Sequence, residues 1–279
     1  MPEAARTTVA TLLAEARALG IDRLDAHMLL ERALNRSRTW LLAHDDEALT
    51  GTPLTTLRAW LARRASGEPV AYLLGEKEFH GLRLQVDANV LVPRPDTEVL
   101  VDWALVLLAG DLADRATPAV IDLGTGSGAI ALAVKNGHPA ADVLATDLSP
   151  AALAVASGNA ERLGLCVHFQ QGAWWEATAG KRFDLVLSNP PYIAGDDHHL
   201  AALHHEPRLA LTPEGDGLAA LREIIAGATA QLQPGGWLLL EHGHDQAASV
   251  ANLLRAHGFS DVQSRADLAG HWRCTGGHA

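Results

Sequence analysis

The chain has 279 residues, of which 48% are hydrophobic and 20% charged, and its formal net charge at pH 7 is −11. This length suits one core of ordinary size plus a smaller accessory domain, so we expect two domains. No stretch approaches the roughly 20 uninterrupted apolar residues that a membrane span needs, and the two cysteines are too few for a disulfide framework. The N-terminal residues show no export signal, and we expect a cytoplasmic protein.

The charge is unevenly distributed along the chain. Residues 1–72 contain nine Arg and nine acidic residues, so the whole net charge of −11 lies in residues 73–279. An acidic surface repels phosphate backbones, because affinity for nucleic acid comes largely from Lys and Arg that neutralise phosphates. We therefore expect no direct nucleic-acid binding by the larger part. The arginines of the first part could serve a partner, but a solvated helical surface is the simpler explanation.

The first part of the chain has helical periodicity. Apolar residues predict two amphipathic helices, over residues 9–19 and 24–34. Thr52-Pro53 reads as the N-cap and first turn of a third helix, which ends at Gly67. Residues 1–68 are therefore predicted to form a small helical domain.

Residues 69–92 are predicted to be a linker that contains a β-hairpin, because apolar residues alternate between residues 76 and 86. Residues 93–279 then alternate between apolar strands and helices, which predicts an α/β domain with a parallel sheet covered on both faces. The predicted helices include 150–162 and 218–231. The predicted strands are Ala119–Leu123, Asp142–Thr146, Cys166–Phe169, Phe183–Leu187 and Trp237–Leu240.

A glycine-rich loop follows the first of these strands and opens a helix. Glycines permit a tight turn and a close approach to a ligand, and the start of a helix offers unpaired amides. Asp147 ends the second strand, where its carboxylate can accept both hydroxyls of an adenosine ribose. The pattern indicates an adenosine cofactor but leaves its identity open, since Gly124, Gly126 and Ala129 also fit the dinucleotide fingerprint. The loop residues are Gly124, Thr125, Gly126, Ser127 and Gly128.

A tetrapeptide, Asn189-Pro190-Pro191-Tyr192, directly follows the strand that begins at Phe183. It is predicted to lie at the carboxyl edge of the sheet, where ligands bind in open α/β folds. The Asn189 side-chain oxygen and the Pro190 carbonyl could accept both hydrogens of a planar amide or amino group, which would aim its lone pair at a methyl donor. The two prolines hold the loop still, and Tyr192 could pack against the planar group.

A histidine-rich stretch, residues 196–205, invites the hypothesis of a metal site. If the tetrapeptide serves methyl transfer from a sulfonium donor, that reaction needs no metal, because the leaving group is a neutral thioether. The stretch lies in a long predicted loop, which is typically solvated or clamps a substrate. We predict no metal site.

The glycine loop together with Asn-Pro-Pro-Tyr resembles the amino-methyltransferases. Further stretches narrow the resemblance to the release-factor glutamine methyltransferases, the HemK family, over essentially the whole chain. These stretches are Gly67–Tyr72, Gly75–Phe79, Val92–Glu98, Glu206–Leu211 and Leu239–Gly243. The sequence departs from the family at Ala173, where an acid is common, and at Trp175, where phenylalanine is common.

The resemblance implies a Rossmann-like class I methyltransferase sheet. It implies methyl transfer from S-adenosyl-L-methionine to the side-chain nitrogen of the glutamine in the Gly-Gly-Gln motif of peptide chain release factors. By this resemblance residues 124–128 and Asp147 bind the cofactor, and Trp174 lies by its adenine. Asn189 contacts cofactor and substrate, while Pro190, Pro191 and Tyr192 complete the amide pocket. Residues 94–98 would lie near the site, and the helical domain would help to grip the release factor.

Two alternatives remain open at this point. An adenine-N6 methyltransferase for nucleic acid handles the same kind of planar amino group, but the acidic catalytic domain disfavours it. A nicotinamide dehydrogenase or a non-catalytic nucleotide-binding module could use the same glycine loop, but it leaves Asn189–Tyr192 without a purpose.

Overall fold

The computed structural model describes residues 6–178 and 180–279. The chain divides into two units, Met1–Glu76 and Lys77–Ala279. Residues 1–5 of the predicted helical domain lie outside the described residues. The division falls inside residues 69–92, which the sequence predicts to be a linker. Among the described helices, none combines the length and the apolar character that crossing a membrane requires.

The described part of the first unit is helical. Its helices are α1 (Val9–Ala18), α2 (Arg23–Leu34), α3 (Arg38–Ala43), α4 (Gly51–Ala65) and α5 (Val70–Leu74). Their apolar faces enclose a core that includes Leu12, Leu29 and Leu57, each at most 1% exposed. Helices α3 and α5 were not predicted, because at six and five residues they are too short for clear periodicity.

The start of α4 corrects one prediction. The helix begins at Gly51 with Thr50 as its N-cap, so Thr52 is inside the first turn rather than capping it. Pro53 remains compatible with this earlier start, because amides of the first turn have no acceptor within the helix.

The hairpin predicted between residues 76 and 86 consists of β1 (Glu76–Phe79) and β2 (Leu82–Gln85). Its turn residues His80 and Gly81 both have positive φ, of 48° and 77°. A two-residue turn of this kind matches the twist of antiparallel strands.

The described residues of the second unit also form a seven-stranded sheet in the order β5-β4-β3-β6-β7-β9-β8. All pairs from β5 to β7 are parallel, whereas β9 is antiparallel to both β7 and β8. The sheet is thus mostly parallel, and the expectation of a Rossmann-like sheet is confirmed. The reversed strand β9 departs only from the expectation that all strands are parallel. The strands are β3 (Ala119–Leu123), β4 (Asp142–Asp147), β5 (His168–Gln171), β6 (Phe183–Ser188), β7 (Leu232–Glu241), β8 (Ser260–Ala266) and β9 (Trp272–His278).

Helices cover both faces of this sheet, and alternate strand residues supply the two cores. Val120 of β3 packs on the side of α6 and α7, and its neighbour Ile121 packs on the side of α10 and α11. Strand β5 begins two residues later than predicted, since Cys166 and Val167 precede its pairing with β4. The helices are α6 (Glu98–Ala109), α7 (Ala129–Gly137), α8 (Pro150–Leu163), α9 (Arg208–Leu211), α10 (Ala219–Gln231) and α11 (Ala247–Ala256).

Candidate active site

The order of the strands places a crevice between β3 and β6. The chain runs from β3 to β4 and β5 on one side, and then returns to β6 on the other side of β3. Ligands of open α/β sheets bind at such a switch point, beyond the carboxyl ends of the strands. Leu123 and Ser188 are paired across this point, and the Ser188 hydroxyl donates to the Leu123 carbonyl over 2.7 Å. Gly124 and Asn189 therefore begin their loops side by side.

The glycine loop turns sharply at this edge. Gly124 and Gly126 have φ of +72° and +56°, in the left-handed region that side chains disfavour, and both line the cavity that fills the crevice. Gly128 also has a left-handed φ, of +85°, but it does not line the cavity. A Cβ there would lie 3.0 Å from Leu132 Cδ1 and 3.2 Å from Ala156 Cβ, so tight packing requires a glycine as well.

Thr125 and Ser127 do not line the cavity. Both are buried, at 5% and 3% exposure, on the side of the loop that faces away from the cavity. The Thr125 hydroxyl donates to Asp122 Oδ2 over 2.6 Å, and the Ser127 carbonyl accepts a hydrogen bond from Asn159 Nδ2 over 3.0 Å. The side chains of Thr125 and Ser127 therefore support the loop. Contact between their backbones and a cofactor stays a prediction.

Asp122, which precedes the loop, was not among the predicted site residues. It is fully buried, and its Oδ1 has no hydrogen-bond partner among the described residues. Burial raises the pKa of Asp122 to about 7, against the hydrogen bonds from Thr125 and the Ala131 amide, which lower it. The glycine loop is thus hydrogen-bonded, through Thr125, to a buried carboxyl group whose pKa is raised.

Asp147 stands at the end of β4 and lines the cavity. Its two oxygens accept hydrogen bonds from the Gly126 and Ser149 amides, each over 2.9 Å. The carboxylate therefore shapes the glycine loop, and the lone pairs left on its oxygens can still accept from a ligand.

The tetrapeptide divides into two pairs. Asn189 and Pro191 line the cavity, whereas Pro190 is buried. The Tyr192 hydroxyl donates to Glu241 Oε1 over 3.3 Å. The backbone carbonyl of Tyr192 accepts a hydrogen bond from Gln246 Nε2 over 3.0 Å. Tyr192 is held by these bonds, so its predicted stacking on a substrate amide stays a prediction.

The two neighbouring tryptophans have different positions. Trp174 lines the cavity, and its ring lies close enough to Gly124 that an added Cβ would meet ring atom Cζ3 at 3.4 Å. Trp175 turns away and donates from Nε1 to the Ile224 carbonyl over 3.1 Å. Of the pair, Trp174 is the one that could contact an adenine.

The cavity between these loops has a volume of about 400 Å³. Asp147 and Glu223 are the charged side chains among its described lining residues, and no Lys, Arg or His is among them. Such a cavity favours a cationic ligand group and disfavours phosphate. The remaining lining residues are Asn89, Val90, Leu91, Leu148, Ser149, Ala152, Gly172, Ala173, Pro207, Leu209, Ala210, Thr212, Pro213, Ala219 and Ala220.

One wall of the cavity, residues 207–213, was missed as a site element. It is anchored by Glu206, whose Oε2 accepts from the Val92 amide over 3.0 Å and whose Oε1 accepts from Arg94. Two of the stretches that carry the family resemblance, Val92–Glu98 and Glu206–Leu211, contain these residues and could have drawn attention to them. Nothing in the sequence indicated that the two stretches are in contact.

In the histidine-rich stretch, ligand atoms of Asp197, His198 and His199 lie within 4.8 Å of one another. Both histidine side chains are more than two-thirds exposed, and the Asp197–His199 hydrogen bond of 2.7 Å accounts for their proximity. Exposed groups of this kind carry no specific geometry for a metal, and the absence of a metal site stays a prediction.

Comparisons of the sequence with family models and with curated proteins point to the same family. Residues 4–75 match the family model of the PrmC N-terminal domain, and residues 97–216 match that of the methyltransferase small domain. The chain is 55% identical to a release factor glutamine methyltransferase from Bordetella pertussis, over 93% of this chain and 96% of that one. It is 50% identical to a protein of the same name from Burkholderia pseudomallei, over 97% and 95%.

Solved structures share the fold at lower identity. A 16S rRNA N2 methyltransferase from T. thermophilus, in complex with AdoMet and guanosine, superposes with a TM-score of 0.53 at 18% identity, over 73% of this chain and 49% of that one. This likeness concerns the fold alone. The identities and coverages of the sequence relatives establish that the chain belongs to the release factor glutamine methyltransferase family.

Proposed function

We propose that this protein transfers a methyl group from S-adenosyl-L-methionine to the side-chain amide nitrogen of the glutamine in the Gly-Gly-Gln motif of peptide chain release factors. The observation that carries the proposal is the position of Asn189 and Pro191 on the same cavity as Gly124 and Asp147. Relatives named release factor glutamine methyltransferase, at 50–55% identity over more than nine-tenths of the chain, support the substrate class.

The cavity fits the proposed cofactor. Its volume of about 400 Å³ is within the range of small-molecule sites, roughly 300–1,000 Å³. At Gly126 an added Cβ would meet nothing within 4 Å, so the bare backbone leaves room for a ligand. Asp147 offers acceptors for ribose hydroxyls, and the carboxylates of Asp147 and Glu223 suit a sulfonium better than the pyrophosphate of a dinucleotide. This last point disfavours the dehydrogenase alternative.

S-adenosylmethionine would supply an electrophilic methyl group with a neutral thioether as its leaving group. The Asn189 side-chain oxygen and the Pro190 carbonyl would accept the two hydrogens of the glutamine amide, which directs the nitrogen lone pair out of the plane toward the methyl group. Transfer would form the C–N bond as the C–S bond of the donor breaks, and one of the two hydrogens would pass as a proton to water, because neither acceptor is basic enough to retain it. Positioning, rather than a strong base, would be the contribution of the protein.

The direct test is to incubate the protein with a purified release factor and labelled S-adenosylmethionine, followed by peptide mass spectrometry. We expect one methyl group on the glutamine of Gly-Gly-Gln. A release factor in which this glutamine is replaced by glutamate is the matched control and should stay unlabelled. Absence of label on the intact release factor would contradict the proposal, and label on DNA or RNA would instead favour adenine-N6 methylation.

A further inference from the structure

The downstream end of the tetrapeptide is held at the peptide group that joins Tyr192 to Ile193. Its carbonyl accepts a hydrogen bond from Gln246 Nε2 over 3.0 Å, and its amide donates to the Leu211 carbonyl over 3.0 Å. The two prolines of the tetrapeptide have no N–H group and cannot donate backbone hydrogen bonds of their own. This peptide group is therefore a backbone anchor that lies directly after the tetrapeptide.

The upstream end of the tetrapeptide is held differently. It continues β6, whose last residue, Ser188, pairs with both β3 and β7. The Asn189 side chain also donates from Nδ2 to the Thr97 hydroxyl over 3.3 Å. The sheet thus sets the upstream end, whereas the downstream end depends on contacts from side chains and loops.

Gln246 is fixed in one orientation by two backbone partners of opposite kind. Its Oε1 accepts from the Gly243 amide over 2.9 Å, while its Nε2 donates to the Tyr192 carbonyl. A backbone amide can only donate, and a backbone carbonyl can only accept. Rotation of the side-chain amide by half a turn would therefore break both hydrogen bonds and bring two donors together at one end and two acceptors at the other.

The position of Gln246 in its helix indicates a role other than capping. It is the N-cap of α11, where Ser, Thr, Asp and Asn are preferred because their side chains accept from amides of the first turn. The Gln246 side chain makes no such capping hydrogen bond. Its own backbone amide closes the preceding turn by donating to the Gly243 carbonyl over 2.9 Å. The side chain therefore holds the tetrapeptide instead of the helix end.

A third segment packs on the same contact. Gly217 lies so close that an added Cβ would be 2.3 Å from the Tyr192 carbonyl oxygen and 3.1 Å from Gln246 Nε2. Its φ of +75° is also in the left-handed region that favours glycine. Backbone thus packs directly on the hydrogen bond between Gln246 and Tyr192.

We propose that Gln246 is a positioning residue for the tetrapeptide. By holding the peptide after Tyr192, it keeps the two acceptors for the substrate amide, the Asn189 oxygen and the Pro190 carbonyl, in place. Because the ring of Pro191 fixes its φ, a displacement at Tyr192 is passed on to the Pro190 carbonyl. Gln246 is not among the described residues that line the cavity, so it acts through the tetrapeptide and not on the substrate. The inference rests on the proposed function, because these acceptors are the ones that align the glutamine amide.

The test compares Gln246→Glu with Gln246→Met. Glutamate keeps the length and the acceptor for Gly243 but places an oxygen against the Tyr192 carbonyl, and methionine keeps the length without either amide group. We expect both to lower the single-turnover methylation rate at saturating release factor about tenfold or more, since small displacements of reacting groups are costly in rate. The release-factor concentration for half-maximal rate and the affinity for S-adenosylhomocysteine should stay within about threefold of the unchanged protein. A full rate in either variant, or an equal loss of cofactor affinity, would overturn the inference.

Asp245→Ala is the matched control, because this exposed residue belongs to the same turn, and its rate should stay within about twofold of the unchanged protein. Should Gln246→Glu fail to fold, as judged by its thermal midpoint, Gln246→Met decides under the same criteria.

Hydrogen exchange gives a readout that does not depend on methylation. In both Gln246 variants, amides of residues 192–197 should exchange faster, whereas exchange in β6 should stay the same. Unchanged exchange at residues 192–197 would overturn the inference. Failure of the unchanged protein to methylate release factors would refute the proposed function itself, while the exchange rates would still decide whether Gln246 holds the tetrapeptide.

Discussion

Replacement of Asp147 tests the cofactor site most directly. In the structure its carboxylate accepts the amides of Gly126 and Ser149 and also faces the cavity. Asp147→Ala therefore removes the proposed acceptor for two ribose hydroxyls and also releases the loop amide of Gly126. Both effects weaken binding of the adenosine part, and both leave the core of the sheet unchanged.

The magnitude follows from the hydrogen bonds lost. Hydrogen bonds to a charged group contribute about 1.5–3 kcal/mol, which corresponds to a loss of roughly 10- to 150-fold in affinity. Asp147→Asn should lose less than Asp147→Ala, because its remaining side-chain oxygen can still accept one of the two amides. Loss of the Gly126 contact adds to the effect, so tenfold is the lower bound we expect for alanine.

The assay is calorimetric titration with S-adenosylhomocysteine, with NAD as the ligand control. Asp142→Ala is the matched protein control. This residue begins the same strand at the opposite end, and its side chain is 58% exposed beside His168. Thermal midpoints establish that each variant is folded. If Asp147→Ala binds S-adenosylhomocysteine within twofold of the unchanged protein, the assignment of Asp147 is refuted.

Three further predictions follow from the site. Asn189→Ala should lower the single-turnover methylation rate about a hundredfold or more, with much less change in cofactor affinity. Asn189→Asp should also be impaired, although less so. Near-normal turnover in the alanine variant would remove Asn189 from the mechanism. With labelled cofactor, an intact release factor should be methylated efficiently and DNA or RNA hardly at all, because the cavity and the larger part of the chain are acidic; the opposite pattern would reverse this ranking. Since burial raises the pKa of Asp122 to about 7, the folded state binds a proton more tightly than the unfolded state, and stability is lost as pH rises through this value. Urea unfolding across the pH range should therefore show a free energy of unfolding that falls between about pH 4 and 7, by at most about 4 kcal/mol from this group, and Asp122→Asn should flatten the fall; an equal slope in both proteins would contradict it.

Much of the sheet could be predicted because its strands follow simple rules. Strand β3 matches its predicted bounds, and β6 extends its own by one residue. Both are buried on their two faces and are apolar apart from one aspartate in each and the final Ser188 of β6. Strands β8 and β9 were not predicted. Strand β8 consists mostly of polar residues at the edge of the sheet, so it shows no apolar periodicity. Strand β9 contains Gly276-Gly277, a pair that is typical of a turn. A Cβ on Gly276 would lie 2.4 Å from Leu239 Cδ2, so close packing explains that glycine.

In the candidate site, too, features that depend on local sequence could be predicted, and contacts between distant parts of the chain could not. That the glycine loop and the tetrapeptide lie at the same edge of the sheet follows from the alternation of strands and helices, which predicts parallel strands. That they share one crevice follows from the strand order, which the structure shows. The wall at residues 207–213 and the contact between Thr97 and Asn189 depend on long-range packing. No periodicity or spacing encodes such contacts. The sequence contained the right stretches, but their meeting could be seen only in three dimensions.

The identity of the cofactor is a case in which structure adds what a motif cannot. A glycine loop followed by an acidic residue at the end of the next strand serves dinucleotides and S-adenosylmethionine alike, because both present an adenosine ribose. The difference lies in the rest of the ligand, which is an anionic pyrophosphate in one and a cationic sulfonium in the other. Asp147 and Glu223 reach the cavity from β4 and α10, and basic side chains are not found among its described lining residues. The charge of the surrounding walls, rather than the loop itself, therefore favours the methyl donor.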